Sequence, residues 1–528
     1  MIAAAENSPE LVFGTAGPIG VDMDLICRVI AECLSDIAYS AYEVKLTSAM
    51  QGYGDGALKQ GDSKSDEFIA KMDYANAIRK KRGPDALARI AVGAIADARQ
   101  KANVESRTRR KFDEDVPAAE IPRLRQTPMC RVAYIVRQLK HPSEVDLLRK
   151  VYGKQFILIS AYSSEESRRK FLIDVIKRSS STQLSASEIE SKVIHLIERD
   201  ASEIGEKLGQ QLRDTFHLAD LFIDGSSQEK MKRGVSRFIQ AFFGRTSITP
   251  NKDEYGMYAA KYSSLRSGDL SRQVGAAIFS KDGELITQGC NEAPKAGGGT
   301  YWDGETPDNR DVMKGFDPNE RQKKEVLRDL VERLRRSNFL TDDILKEGSD
   351  IAIVDKLTGK APKGSQEQDG ALANSWIMDL TEYGRVVHAE MCALCDAARL
   401  GRSLRKATLF CTTFPCHNCT KHLIAAGIDR VVYMEPYPKS RAKELHEDEI
   451  ELEAETDADK VSFVPFLGIS PLRYRDVFQK GRRKSDEGAA NVWIERNVPS
   501  AMVEVSPLAS IANETWALVP LVGKVEAD

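Results

Sequence analysis

Two short clusters set the tightest constraint on how this chain can fold: His388-Ala389-Glu390, and Pro415-Cys416-His417-Asn418-Cys419. One imidazole and two thiols form a metal-ligand set, and a metal held by three side chains forces the segments that carry them together. Cys416 and Cys419 are three apart, so at a helix start both sulfurs share one face. The dipole of that helix end favours thiolate over thiol, and Pro415 suits the entry into the helix. His388 and Glu390 are two apart and would point to nearly opposite sides of a regular helix. They converge only in an irregular first turn, which Val386-Val387 entering from a loop permits.

Three ligands leave the fourth tetrahedral position open to water, as a catalytic zinc requires and a structural one does not. Zinc in such a site lowers a water's pKa from about 15.7 to roughly 7. Glu390 would then carry a proton from that water to a ring nitrogen and later to a leaving amine. H-x-E followed by P-C-x-x-C is the signature of zinc nucleobase deaminases. A rival ligand set exists. Cys392 and Cys395 form a second C-x2-C, and twenty residues separate Cys395 from Cys416, a four-cysteine ribbon spacing. Both lie in an apolar helical stretch with Ala389, Leu394, Ala398 and Leu400, where cysteine packs as a small hydrophobe. A ribbon also leaves His388 and Glu390 without a role. His417 and His422 read as surface or neighbouring residues. No His or Cys occurs from Asn291 to Val387, so that stretch offers no second His/Cys zinc site.

The 528 residues suggest two to four domains. In the first 245, strands alternate with helices, which implies a mostly parallel, doubly covered α/β sheet. Leu11-Val12-Phe13 runs into Gly14-Thr15-Ala16-Gly17-Pro18-Ile19-Gly20, and Leu25, Ile26, Val29, Ile30 and Leu34 follow at helix spacing. Further strands are expected at 131–136, 155–161 and 219–223, and helices at 85–100, 165–178 and 187–209. Residues 104–126, rich in Arg and Pro, read as a solvated excursion. The expected linker is 246–253, around Pro250. A second α/β domain spans 252–480, with a helix at 253–265, a hairpin of strands 273–279 and 285–290 turned by Asp282-Gly283, and an insertion at 292–380. The insertion carries a charged helix at 319–336 and a polar loop at 356–370. The core resumes with helix 388–400, strand 408–412, helix 416–427 and strand 430–434. Nine carboxylates between Glu444 and Asp459 form a solvated acidic segment. In the extension 481–528, strands are expected at 502–505 and, weakened by Pro520, at 517–522.

Composition narrows the partners. Hydrophobic residues are 42% and charged residues 29%, a globular balance. Lys+Arg at 76 against Asp+Glu at 79 excludes a globally basic nucleic-acid coat. No apolar run reaches the length of a membrane helix and the N-terminus lacks a signal-peptide pattern, so a cytoplasmic location is expected. Nine cysteines there point to reduced thiols and a metal site, not a disulfide scaffold.

Residues 254–440 resemble the deoxycytidylate deaminase family. The pieces that carry the likeness are Leu270-Ser271-Arg272-Gln273-Val274-Gly275-Ala276, Gly289-Cys290-Asn291-Glu292, His388-Ala389-Glu390-Met391 and Thr413-Phe414-Pro415-Cys416-His417-Asn418-Cys419. The resemblance implies a three-layer α/β/α cytidine deaminase-like domain, with zinc between two helix N-termini on a five-stranded sheet. It implies that Asn291 bonds the sugar or base, that Ser271 and Arg272 lie near the nucleotide, and that Lys439 and Ser440 meet the phosphates. The whole layout, over residues 9–480, is similar to the bacterial anti-phage dCTP deaminases, in which a P-loop kinase-like half precedes such a domain. That likeness implies deamination of dCTP, in some cases dCMP, collapsing the pool a phage needs. It also implies a regulatory RNA or nucleotide effector and a homo-oligomer.

The N-terminal loop departs from a working P-loop. Gly14, Gly17 and Gly20 remain as a nucleotide-binding candidate, but Val21-Asp22 stand where Lys-Ser/Thr is needed. Asp22 would repel a phosphate, although a glycine-rich turn before a helix still binds anions. Asp224 ends an apolar strand and caps the next turn as readily as it serves a site. Arg107, Arg109, Arg110 and Lys111 form a basic cluster, by default a solvated face, alternatively an RNA patch. Two other functions stay open at this point. One is deamination of bases in RNA or single-stranded DNA, which needs a basic channel and sits poorly beside the acidic segment. The other is an RNA- or nucleotide-sensing toxin component whose deaminase half only binds.

Overall fold

The computed structural model describes residues 8–55, 58, 63–110, 117, 119–179, 184–201, 212–360, 369–437, 439–453, 459–491, 493, 501–502 and 506–522. The chain forms two compact units, one of Met1–Tyr255 with Pro465–Asp528, the other of Gly256–Val464. Among the described residues no helix is long and apolar enough to cross a membrane.

The first unit is built on β1 (Leu11–Ala16), β2 (Ser40–Lys45), β3 (Val132–Arg137), β4 (Phe156–Tyr162) and β5 (Leu221–Asp224). The sheet order is β5-β4-β1-β3-β2, all parallel, with the short strand Gly468–Ile469 added antiparallel to β5. β1, β3 and β4 are apolar runs buried along nearly their whole length, as covered parallel strands must be. β2 escapes the sequence reading because it is an edge strand with polar residues, and only Val44 is buried in it.

The C-terminal boundary differs from the expected 480. From Pro465 the chain returns to the first unit, where Ser470 N donates to Asp220 O and buried Arg473 donates from Nε to Asp220 Oδ1 at 3.1 Å. Two further readings change. Residues 104–110 continue the Ala86–Arg110 helix, and Ile121–Arg125 is a helix with Leu124 buried. Asn103 ties the segment down by donating to Leu124 O and Thr127 O. The expected strand at 517–522 is the end of the helix Pro507–Val522. There Leu518 and Leu521, three apart, share the face packed on Ile78, Leu87 and Ile90. Residues 503–505, 202–211 and Lys111 lie outside the described residues, as do the side chains of Arg109 and Arg110. Arg107 pairs with Glu120.

The second unit contains β6 (Gly275–Phe279), β7 (Leu285–Cys290), β8 (Ala407–Thr413), β9 (Ile428–Glu435), β10 (Ile450–Leu452) and β11 (Val461–Pro465), in the order β10-β11-β9-β8-β6-β7. β6 and β7 form the expected hairpin, β6 and β8 run antiparallel, and β8 and β9 run parallel. The sheet has six strands because the acidic segment contributes β10. The helix Ala389–Arg399 lies directly on β7, and a Cβ at Gly289 would stand 2.4 Å from Ala389 O. Only glycine allows that approach. The insertion has its own small core of Leu327, Val331, Ile353 and Val354, between the helices Pro318–Arg336 and Asp350–Thr358. The expected polar loop at 356–370 thus begins as helix, and its residues 361–368 lie outside the described set.

Candidate metal centre

β8 ends at Thr413, and Phe414-Pro415 turns the chain into the helix His417–Ala425, with Cys416 as its N-cap. The Cys416 sulfur accepts from Cys419 N at 3.5 Å, so it takes up one of the free amides of the helix end. His388 is likewise the N-cap of Ala389–Arg399, in extended conformation at φ −62°, ψ 152°. This resolves the spacing problem of His388 and Glu390. The histidine stands outside the helix and the glutamate inside its first turn, so both face one place.

The three ligand atoms lie within 4.8 Å of one another, with His388 Nδ1 3.4 Å from Cys416 Sγ and 3.5 Å from Cys419 Sγ. Cys416 is pushed down to about 4, first by the thiol of Cys419 and also by His388. Cys419 is raised and keeps its proton against that thiolate. His388 is raised to about 9, chiefly by its hydrogen bond with Cys416. A thiolate ready to bind and two protons that a divalent ion would displace are clustered at two helix starts. The donor set of one nitrogen and two sulfurs fits zinc.

Among the described residues this is the one His/Cys/Asp/Glu group that meets metal-ligand geometry. The four-cysteine alternative is not assembled. Cys392 is buried near Gly289 of β7, with burial raising its thiol, while Cys395 is exposed on the same helix. Cys416→Ser is therefore expected to lose the metal, whereas Cys392→Ser and Cys395→Ser keep full zinc stoichiometry by metal analysis.

A cavity of about 160 Å³, open to solvent, lies on this centre, lined among others by His388, Glu390 and Cys416. Glu390 is only 4% exposed, and burial pushes its carboxyl above the usual range. Ser271 and Arg272 also line the cavity. Ser271 Oγ donates to Asp317 at 3.0 Å, and Arg272 pairs with Glu435 at 3.2 Å beside the Tyr437 ring. Asn291 lines it too, but its amide is committed within the protein. Oδ1 accepts from Ala389 N at 2.9 Å, while Nδ2 donates to Asp269 Oδ2 and Arg272 O. Asn291 thus caps the helix whose first turn carries Glu390. Asn291→Ala should cost about 1–3 kcal/mol through the orphaned amide, read as a lower urea midpoint.

Lys439 and Ser440 are not among the cavity-lining residues. Lys439 pairs with Asp379, and Ser440 Oγ donates to Pro415 O at 2.8 Å, fixing the turn before Cys416. The sequence reading missed Asp269, Asp317, Asn319, Thr381, Arg385 and Tyr437. Four of these, Asp317, Asn319, Thr381 and Arg385, come from the insertion or the chain just after it, where no motif marks them.

Residues 250–435 match the cytidine and deoxycytidylate deaminase zinc-binding region. Over 55 residues the chain is 42% identical to the deoxycytidylate deaminase of Enterobacteria phage T4, covering 10% of this chain and 28% of that protein. It is 34% identical over 120 residues to ComE operon protein 2 of Bacillus subtilis (strain 168), covering 21% of this chain and 63% of that protein. A dCMP deaminase from the cyanophage S-TIM5, solved in complex with dCMP and dUMP, aligns with a TM-score of 0.22 and 18% identity over 41% of this chain and 98% of that chain. The match thus spans less than a third of the T4 protein's length.

Proposed function

We propose that the second unit deaminates free cytosine deoxynucleotides by hydrolysis, taking dCTP and also dCMP to the deoxyuridine nucleotide and ammonia. The observation that carries this reading is the convergence of His388, Cys416 and the buried carboxyl of Glu390 on one cavity, with Cys419 completing the ligand cluster. The names of the phage relatives support a deoxycytidine nucleotide as the substrate.

Zinc held by His388, Cys416 and Cys419 supplies the Lewis acidity that makes water a nucleophile near neutral pH. Glu390 does the proton work. Its carboxylate takes one proton as the water oxygen attacks C4 and passes it to N3 of the ring; it then takes the second proton from the new C4 hydroxyl and gives it to the amine, so that the C4–N bond breaks, the C4=O bond forms and ammonia leaves. The low-dielectric pocket around Glu390 keeps its protonated form within reach, which a carrier that must both accept and donate requires. Asn291 holds the helix start that aims Glu390. Arg272 and Arg385, on the cavity wall, supply positive charge for the phosphates. Arg385 is itself held by Asp311 at 3.0 Å and Asn309 O at 3.2 Å. Asp317, Asn319 and Thr381 add walls that suit a free nucleotide better than a strand passing through.

Consumption of dCTP drains the pool on which a replicating phage draws, the antiviral role the sequence resemblance implies. In this reading the first unit, P-loop kinase-like by sequence, is where an RNA or nucleotide effector restrains the enzyme, and copies of the chain associate. The test is ammonia release by zinc-loaded protein offered dCTP, dCMP, CTP and cytidine separately. Turnover of dCTP and dCMP is expected, absent from Glu390→Ala. Turnover of a single-stranded oligonucleotide with none of the free nucleotides would overturn it.

A further inference from the structure

The glycine loop of the first unit has an occupant of its own. Residues 17–22 follow β1 and lead into the helix Met23–Ser35. Asp22 caps that helix by accepting from Leu25 N at 2.9 Å. Ile19 N donates at 2.7 Å to Oδ2 of Asp200, a residue 181 positions away in the sequence at the end of the helix Ala186–Ala201. The other oxygen of the same carboxylate accepts from Lys140 Nζ at 2.6 Å, and Lys140 Nζ also donates to Gly17 O at 2.7 Å. Asp200 is 1% exposed and Lys140 8%.

A buried carboxylate clasped by a loop amide and a buried ammonium beside a helix N-terminus satisfies the same demands as a phosphate oxygen. The loop carries no lysine of its own, yet Lys140 from the end of β3 brings an ammonium to it. Gly20, at φ +95°, packs on the backbone of Arg168. Ile19 meanwhile sits in an apolar cluster with Leu172, Ile176, Ile189, Val193 and Leu196, which holds the two covering helices against the loop.

We propose that the loop is a self-occupied anion site, in which the carboxylate of Asp200 fills the position of a phosphate and bars the polyphosphate tail of a nucleotide until it is unseated. Lys140 and the Ile19 amide are the groups such a tail would meet. This contact is an internal latch on the first unit and does not depend on the chemistry assigned to the second.

The test measures binding of inorganic tripolyphosphate to the full chain by calorimetry. Wild type is expected to bind it weakly, and Asp200→Ser about 10–100-fold more tightly, the effect of freeing charge-assisted donors. Adding Lys140→Met to Asp200→Ser should return binding to the wild-type level. Asp200→Asn, which keeps an acceptor for Ile19 N, serves should the serine variant fail to fold by circular dichroism. Folded variants that bind no more tightly than wild type overturn the proposal. So does wild-type protein in which tripolyphosphate slows hydrogen exchange at the Ile19 amide, a measurement that needs no variant. Unchanged Ile19 exchange is the expected result.

Discussion

Glu390→Gln is expected to lower kcat for deamination by about 10²–10⁴-fold, the range for a lost general acid–base group, while zinc content and thermal unfolding stay at wild-type values. Glutamine has the same shape and can accept and donate hydrogen bonds at the same atoms, so the first turn of the Ala389–Arg399 helix keeps its packing. It cannot take a proton from water and release it to a ring nitrogen. Because Glu390 is not one of the three clustered ligand atoms, the metal has no reason to leave. KM should move much less than kcat, since proton transfer is felt in the transition state and hardly in the bound substrate. Metal analysis, a melting curve and steady-state kinetics on one preparation separate the outcomes. Retained kcat would assign the proton to another group. Lost zinc would make Glu390 part of the scaffold of the centre.

The centre was legible because its chemistry is concentrated in two short segments whose geometry follows from helix starts. A histidine, two cysteines three apart and a proline before them allow few arrangements. The structure supplies the detail that pattern alone left open: His388 as N-cap lies outside the helix that contains Glu390. The buried strands were legible for a similar local reason, since β1, β3 and β4 are apolar along their length. What could not be read depends on partners distant in sequence. β2 is polar and becomes a strand by pairing with β3 at the edge. The Asn291 amide oxygen accepts from Ala389 N, nearly a hundred residues on. Lys439 is paired with Asp379 of the insertion. Asp200 carries no motif at all, and its meaning comes from Ile19 and Lys140.

Arg99→Met should destabilise the first unit by about 3–5 kcal/mol, the usual cost of removing one partner from a buried ion cluster. Arg99 is 1% exposed on the Ala86–Arg110 helix and bridges two chain ends. Its Nε donates to Glu10 at 2.9 Å, just before β1, and its Nη1 and Nη2 donate to Glu514 at 2.8 and 2.7 Å, on the Pro507–Val522 helix. A further bond from Nη1 reaches Arg125 O at 3.0 Å. Burial works against the charge on Arg99, and its hydrogen bonds to the two carboxylates outweigh that and hold the guanidinium protonated. Methionine fills similar space but leaves Glu10 and Glu514 facing each other with no cation between them. Against a total stability of roughly 5–15 kcal/mol for a domain, that loss is large. The expected reading is a lower urea midpoint, with earlier hydrogen exchange in β1 and in the 507–522 helix, while the zinc centre keeps its metal. Replacing Glu10 and Glu514 by methionine as well should recover much of the loss, since an apolar cluster of similar volume needs no counter-charge. A cost below about 1 kcal/mol for Arg99→Met would place the cluster among solvated surface pairs, and the C-terminal helix would then be held by its apolar face alone.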